Sequence, residues 1–218
     1  MLKYIVKRIL KCAVTLLAVT VLIFSILWFV PEDPALCVLA KPVIYLYPEE
    51  ETEVTVKLDY NGTLTSTYPA YGDGWTVTAQ PDGTLTDEKG REYYCLFWEG
   101  ESDAVYDFST GYCVQGKDTA VFLERTLAQL GLTEREANEF IIYWLPRMES
   151  NAYNLVSFQS EAYTDSAELT IDPAPDTVIR VFMAWKGLDR PEKITPQELT
   201  TVERNGFTVV EWGGAELP

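Results

Sequence analysis

The side chains in this sequence that could do chemistry are acids and aromatics. Among its 218 residues are 33 Asp or Glu, 13 Tyr and 6 Trp, and no His. Without histidine there is no Ser-His-Asp or Cys-His nucleophile and no His-ligated catalytic zinc. Acid–base work would fall to carboxylates, Lys, Tyr or Cys. Glu99 and Glu211 each neighbour a tryptophan, Trp98 and Trp212. Burial beside an indole raises a carboxyl pKa. With Glu149 they form the catalytic candidates if the chain is an enzyme. Two of them ~5–9 Å apart could hydrolyse a glycosidic bond. Nothing in the sequence brings them together.

The densest polar and aromatic run is Trp144-Leu145-Pro146-Arg147-Met148-Glu149-Ser150-Asn151-Ala152-Tyr153-Asn154. Arg147 could grip a carboxylate with two hydrogen bonds. Asn151 and Asn154 could bond a ligand, and Trp144 and Tyr153 could stack on a sugar face. The same run also suits a tight turn between a helix and a strand, with the asparagines capping the backbone and Arg147 paired to Glu149 or Glu139. Arg180 lies in an apolar run and needs a carboxylate partner if it faces inward. The tyrosines and tryptophans could line a glycan-binding face or fill the core.

Cys95 and Cys113 enclose a loop of about 19 residues, and a disulfide there would contribute roughly 3 kcal/mol. Two unpaired thiols are the alternative. GxGxxG, Walker A, GxSxG and CxxC patterns are all missing. The acids of Asp82–Glu88 fail the EF-hand spacing. No metal and no cofactor is therefore expected.

The positioning elements divide by charge. Lys3, Lys7, Arg8 and Lys11 stand at the N-terminus with no acid among residues 1–30. An uncharged run, CAVTLLAVTVLIFSILWFV, covers residues 12–30. As a helix it would span roughly 28 Å, close to the ~30 Å core of a bilayer. The positive-inside rule then gives a cytoplasmic basic end at 1–11, a transmembrane helix at 12–30, a Pro-containing spacer at 31–40 and an extracytoplasmic domain at 41–218. A cleaved signal peptide is the alternative, with Val38-Leu39-Ala40 as its cleavage region. The partners expected are the lipid bilayer, through residues 12–30, and an envelope glycan or protein. The net charge of −16 excludes nucleic acid, which needs clustered cations.

Within 41–218, Pro42–Pro48 reads as a buried strand and Glu53–Tyr60 as an alternating one, followed by the hairpin signal Asn61-Gly62. Further short strands follow Asp73-Gly74, Asp82-Gly83 and Lys89-Gly90. Thr119–Leu130 reads as a helix. Thr133-Glu134-Arg135-Glu136 is a capping box for a second helix, whose apolar stripe includes Phe140, Trp144 and Met148. Strands then resume at 154–158, 168–171, 177–185 and 207–212, with a short helix at 195–198. The expected fold is α+β: an antiparallel β-sheet or sandwich with an inserted αα-hairpin, preceded by one N-terminal transmembrane helix.

The runs Lys41-Pro42-Val43-Ile44-Tyr45-Leu46-Tyr47-Pro48, Glu139–Pro146, Tyr153-Asn154-Leu155 and Gly206–Gly214 resemble a family of uncharacterised bacterial proteins marked by a KPVIYLYP motif. The resemblance spans roughly residues 41–214. It implies one domain and supplies no activity, ligand or catalytic residue. The functional expectation is thus a membrane-anchored envelope module that binds a glycan, peptide or protein, with a His-free carboxylate hydrolase acting on a glycan as the alternative.

Overall fold

The computed structural model describes residues 37–159 and 161–218, together with residues 1, 7, 8, 15–17, 19 and 20. The chain divides into two compact units, Met1–Ala35 and Leu36–Pro218. In the first, the described residues after Met1 are helical, and the Thr20 hydroxyl donates to the Leu16 carbonyl one turn back.

The second unit holds thirteen strands among the described residues. They are β1 (Cys37–Tyr47), β2 (Thr52–Tyr60), β3 (Thr63–Tyr68), β4 (Trp75–Ala79), β5 (Leu85–Thr86), β6 (Glu92–Tyr93), β7 (Leu96–Ser102), β8 (Thr110–Gln115), β9 (Tyr153–Phe158), β10 (Ala167–Asp172), β11 (Thr177–Leu188), β12 (Thr195–Pro196) and β13 (Thr208–Glu216). The helices are α1 (Thr119–Gln129), α2 (Glu134–Met148) and the short α3 (Glu161–Ser166). Eight strands form one sheet in the order β12-β8-β9-β11-β13-β1-β7-β3. Five form a second, β10-β2-β4-β5-β6.

The eight-stranded sheet is covered on both faces. Ile44, Leu46, Trp98, Phe182 and Val209 pack against Val54, Val56, Trp75 and Val77 of the five-stranded sheet. Val43, Tyr45, Met183, Trp185 and Trp212 pack on the other side against Phe122, Leu127, Phe140 and Trp144 of α1 and α2. This explains why β13 is buried at every position except its last. A strand buried on both faces reads as an unbroken apolar run. The capping box of Thr133 and Glu136 starts α2, and Pro146 sits inside its last turn.

Four expectations are corrected. The α+β reading with a preceding transmembrane helix gives way to a mostly β structure of two sheets with few helices. Among the described residues no helix is long and apolar enough to cross a membrane. Of the run 12–30, only residues 15–17, 19 and 20 fall within the described residues. The larger sheet is mixed rather than antiparallel, because β11 runs parallel to β13. The expected spacer 31–40 already contributes Cys37–Ala40 to β1. The expected short helix at 195–198 is replaced by a two-residue strand, Thr195–Pro196, beside β8.

The Asn61-Gly62 turn does not close a hairpin. β2 belongs to the smaller sheet and β3 pairs with β7 in the larger one. The turn carries the chain between layers. A Cβ on Gly62 would lie 2.4 Å from the Glu101 carbonyl oxygen, so the crossing requires glycine.

The KPVIYLYP strand lies between β13 and β7, and its pairing with both shifts register between the Ala40 and Val43 region. Lys41 there adopts φ 56°, a left-handed value that costs energy for a residue with a Cβ. Pro42, which has no amide hydrogen, sits in this bulge. A Cβ on Gly213 would come within 3.1 Å of Pro42, which ties the closing Trp-Gly-Gly run to the opening Lys-Pro.

Candidate functional site

The three candidate carboxylates do not converge. Alternation along β7 and β13 puts Trp98 and Glu211 on the face toward the smaller sheet and Glu99 on the face toward the helices. Glu99 accepts a hydrogen bond from the Lys41 amide at 3.2 Å, which satisfies a donor released by the bulge. Glu149 caps the end of α2 and is exposed. Glu211 is wholly buried. It binds Arg180 Nε at 2.6 Å, its neighbour across the parallel β11–β13 pair, and accepts from the Trp98 indole at 3.0 Å. The Arg180 guanidinium also lies over the Tyr163 ring, 4.6 Å from its centre. Burial first, then the Glu211 carboxylate, holds the Tyr163 phenol well above its ordinary value.

The helix–strand junction also closes on itself. Trp144 is buried, edge-on to Trp185 with ring centres 6.4 Å apart. Asn154 is buried; its amide donates to the Met148 carbonyl at 2.9 Å and to Thr119 Oγ1 at 3.0 Å, and its oxygen accepts from Asn151 at 2.8 Å. Arg147 is exposed, lies over the Tyr143 ring at 4.1 Å and donates to the carbonyl of Tyr143. Tyr153 stands apart from this network, in a groove of about 710 Å³ along β8 and α1.

Cys95 and Cys113 are both free thiols. Cys95 directly precedes β7 and Cys113 lies on β8, with β9, β11, β13 and β1 between them in the sheet. At ~4.8 Å per strand that separation far exceeds the ~7 Å that a disulfide can bridge. Burial pushes the Cys95 thiol up to about 12, so it stays protonated.

An open polar and aromatic cleft forms elsewhere. It measures about 580 Å³ and lies where β1 meets the β4–β5 turn, the start of α2 and residues 204–208. Tyr45 and Tyr47, two apart on β1, share one face, with rings nearly parallel and centres 6.3 Å apart. Tyr94 stands 6.5 Å from Tyr45, and Asp82 and Thr84 come from the turn.

Helix α2 brings the carboxylates that meet these tyrosines. The Tyr45 hydroxyl donates to Glu139 at 2.6 Å, and Arg135 stands 3.6 Å from the other Glu139 oxygen. Glu136 is 1% exposed and pairs with Arg204, and the same oxygen accepts from the Thr133 amide at 2.8 Å. Its other oxygen, Oε1, is buried and has no hydrogen-bond partner among the described residues. Arg204 also donates to the Gly131 carbonyl and lies over the Tyr47 ring at 5.6 Å.

Burial, then the Glu139 carboxylate, raises the Tyr45 phenol; burial, then Glu136, raises Tyr47. Tyr94 is held at about 12, first by Cys95 and then by burial. All three hydroxyls therefore stay protonated near neutrality.

In the sequence Glu136 reads as a cap and Glu139 as one of two alternative partners of Arg147, beside Glu149, while Tyr45, Tyr47, Tyr94 and Arg204 carry no individual role. One signal was legible. Tyr45 and Tyr47, at i and i+2 of a strand, must face the same way. No metal-binding cluster of His, Cys, Asp or Glu occurs among the described residues.

Residues 1–83 match the family described as the N-terminal part of the membrane component of binding-protein-dependent transport systems, a span under half of the chain. A protein of Butyrivibrio fibrisolvens, described as an uncharacterized protein in the bglA 3' region, is 53% identical over 64 residues. That stretch covers 28% of this chain and 66% of the relative. No solved structure matches.

Proposed function

We propose that residues 37–218 form a non-catalytic binding module for a glycan, carried by a membrane-associated protein. The observation that carries this reading is the 580 Å³ cleft in which the accessible Tyr47 and Tyr94 rings stand with Asp82 and Arg204, backed by the buried Tyr45 and Glu136. A sugar offers apolar ring faces and pairs of adjacent hydroxyls. Tyrosine rings suit the faces, and carboxylates and guanidiniums suit the hydroxyls. The volume falls within the ~300–1,000 Å³ of small-molecule sites.

Binding is favoured over hydrolysis because the two helix carboxylates at the cleft are tied to the fold, Glu136 being also 1% exposed. Glu136 is held by Arg204 and the Thr133 amide, and Glu139 by the Tyr45 hydroxyl. Association with a membrane is supported by the similarity of residues 1–83 to a transport-system membrane component. From the four N-terminal cations and the acidic remainder we propose that the N-terminus is cytoplasmic and the β domain outside. Membership of the KPVIYLYP family belongs to the same proposal, since the motif supplies the bulge at Lys41-Pro42 and both cleft tyrosines.

Glycan-array screening of the full chain in detergent, followed by titration calorimetry, tests the reading. Binding of a neutral glycan, weakened about tenfold by Tyr47→Ala, is expected. Absence of binding to every neutral glycan at millimolar concentration, or release of shorter sugars from a bound one, overturns it. An outward location is checked by a reporter fused after Pro218; activity of that reporter inside the cell overturns the topology.

A further inference from the structure

We infer that the ligand is an uncharged chain of several sugar residues, threaded along three consecutive tyrosine-walled subsites. This rests on the glycan reading of the cleft. The cleft does not end at Tyr94. Tyr94 also lines a second cavity, of about 290 Å³, together with Lys41, Phe97 and the Tyr68 and Tyr93 pair. Tyr68 and Tyr93 in turn form a wall of a third, a groove of about 1120 Å³ that runs over the outer face of β4 and the β5–β6 turn. Each neighbouring pair of cavities thus shares a tyrosine wall.

The walls are built for contact. Tyr68 is 56% exposed and Tyr94 52%, unusually open for large rings. Tyr68 is supported edge-on by Tyr93, with centres 5.4 Å apart. Tyr94 is supported by Tyr45. The middle cavity is at the lower limit of small-molecule sites and suits a single ring, whereas the whole path is too long for one.

Both signs of charge line the path: Lys41, Arg91 and Arg204 against Glu92, Asp87 and Glu136. With a chain charge of −16, an anionic polymer is repelled at long range and an uncharged one is not. A polyhydroxylated chain meets donors and acceptors at every residue, whereas a peptide offers one amide and one carbonyl per residue in extended form.

The test is calorimetry with the full-length protein and neutral gluco-, xylo- and manno-oligosaccharides of one to six residues. Affinity is expected to rise about tenfold or more from the shortest bound ligand to the hexamer. Tyr68→Ala should weaken the hexamer about tenfold and leave the shortest ligand unchanged. Tyr94→Ala should flatten the dependence on length. Thermal melts check that these exposed positions leave the fold intact; Tyr94→Leu, which keeps an apolar wall, replaces the alanine variant if it melts early.

Equal affinity at all lengths, with Tyr68→Ala silent, overturns the extended site and leaves the glycan reading standing. Binding of no glycan at any length overturns the reading itself. Tighter binding of an anionic series, or of a proline-rich peptide alone, overturns the uncharged-chain assignment.

Discussion

Two regions of this molecule have the same ingredients and opposite fates. Around Glu211 and Asn154, carboxylate, guanidinium, amide and indole groups are sealed in. Each principal hydrogen bond there goes to another part of the chain. Around Tyr45, Tyr47 and Tyr94, similar groups border open cavities. Residue type therefore does not distinguish a binding surface from a structural network. What distinguishes them is whether the groups border open space: Glu211 and Asn154 are wholly buried, whereas the tyrosines line a cleft.

The comparison can be broken most severely at Glu211. Glu211→Ala strips Arg180 and Trp98 of their shared acceptor and leaves a buried cation uncompensated. A loss of about 3–5 kcal/mol is expected in urea unfolding. A loss below about 1 kcal/mol would show that water reaches the pair. Asn154→Ala comes next. It leaves the Met148 carbonyl and Thr119 short of a donor, at an expected cost of about 1–3 kcal/mol, with glycan affinity unchanged in the same preparation. A drop in affinity at preserved stability would move the binding site to the helix–strand junction.

The mildest test uses pH. The Tyr45, Tyr47 and Tyr163 phenols have raised values in the fold. Their contribution to stability is fully present below the unfolded tyrosine value of about 10 and is lost as pH rises above it, because the unfolded chain ionises first. The urea midpoint should fall above about pH 10, and less so in Tyr45→Phe. A midpoint flat to pH 11 would refute the burial of these phenols.

Much of the β domain could be read from local pattern. The alternation of Val54, Val56 and Leu58 gives β2, and Thr133 with Glu136 starts α2. Partner choice could not be read. Asn61-Gly62 carries a hairpin signal, yet the strands it joins enter different sheets, because pairing is decided by side-chain layers that no local window contains. The parallel neighbourhood of β11 and β13 escaped for the same reason, as did the distance between Cys95 and Cys113. The site was half legible. The two motif tyrosines were bound to share a face, but Glu136, Glu139, Tyr94 and Arg204 reach them from sequence positions about 45 to 160 residues away.

The route by which the chain enters the β domain has a mechanical consequence. β1 begins at Cys37 and is hydrogen-bonded to β13 on one side and β7 on the other. Pulling this strand out of the sheet would require breaking two ladders, where an outer strand has one. A domain held by that end therefore resists loss of its first strand more than one held by an outer strand would.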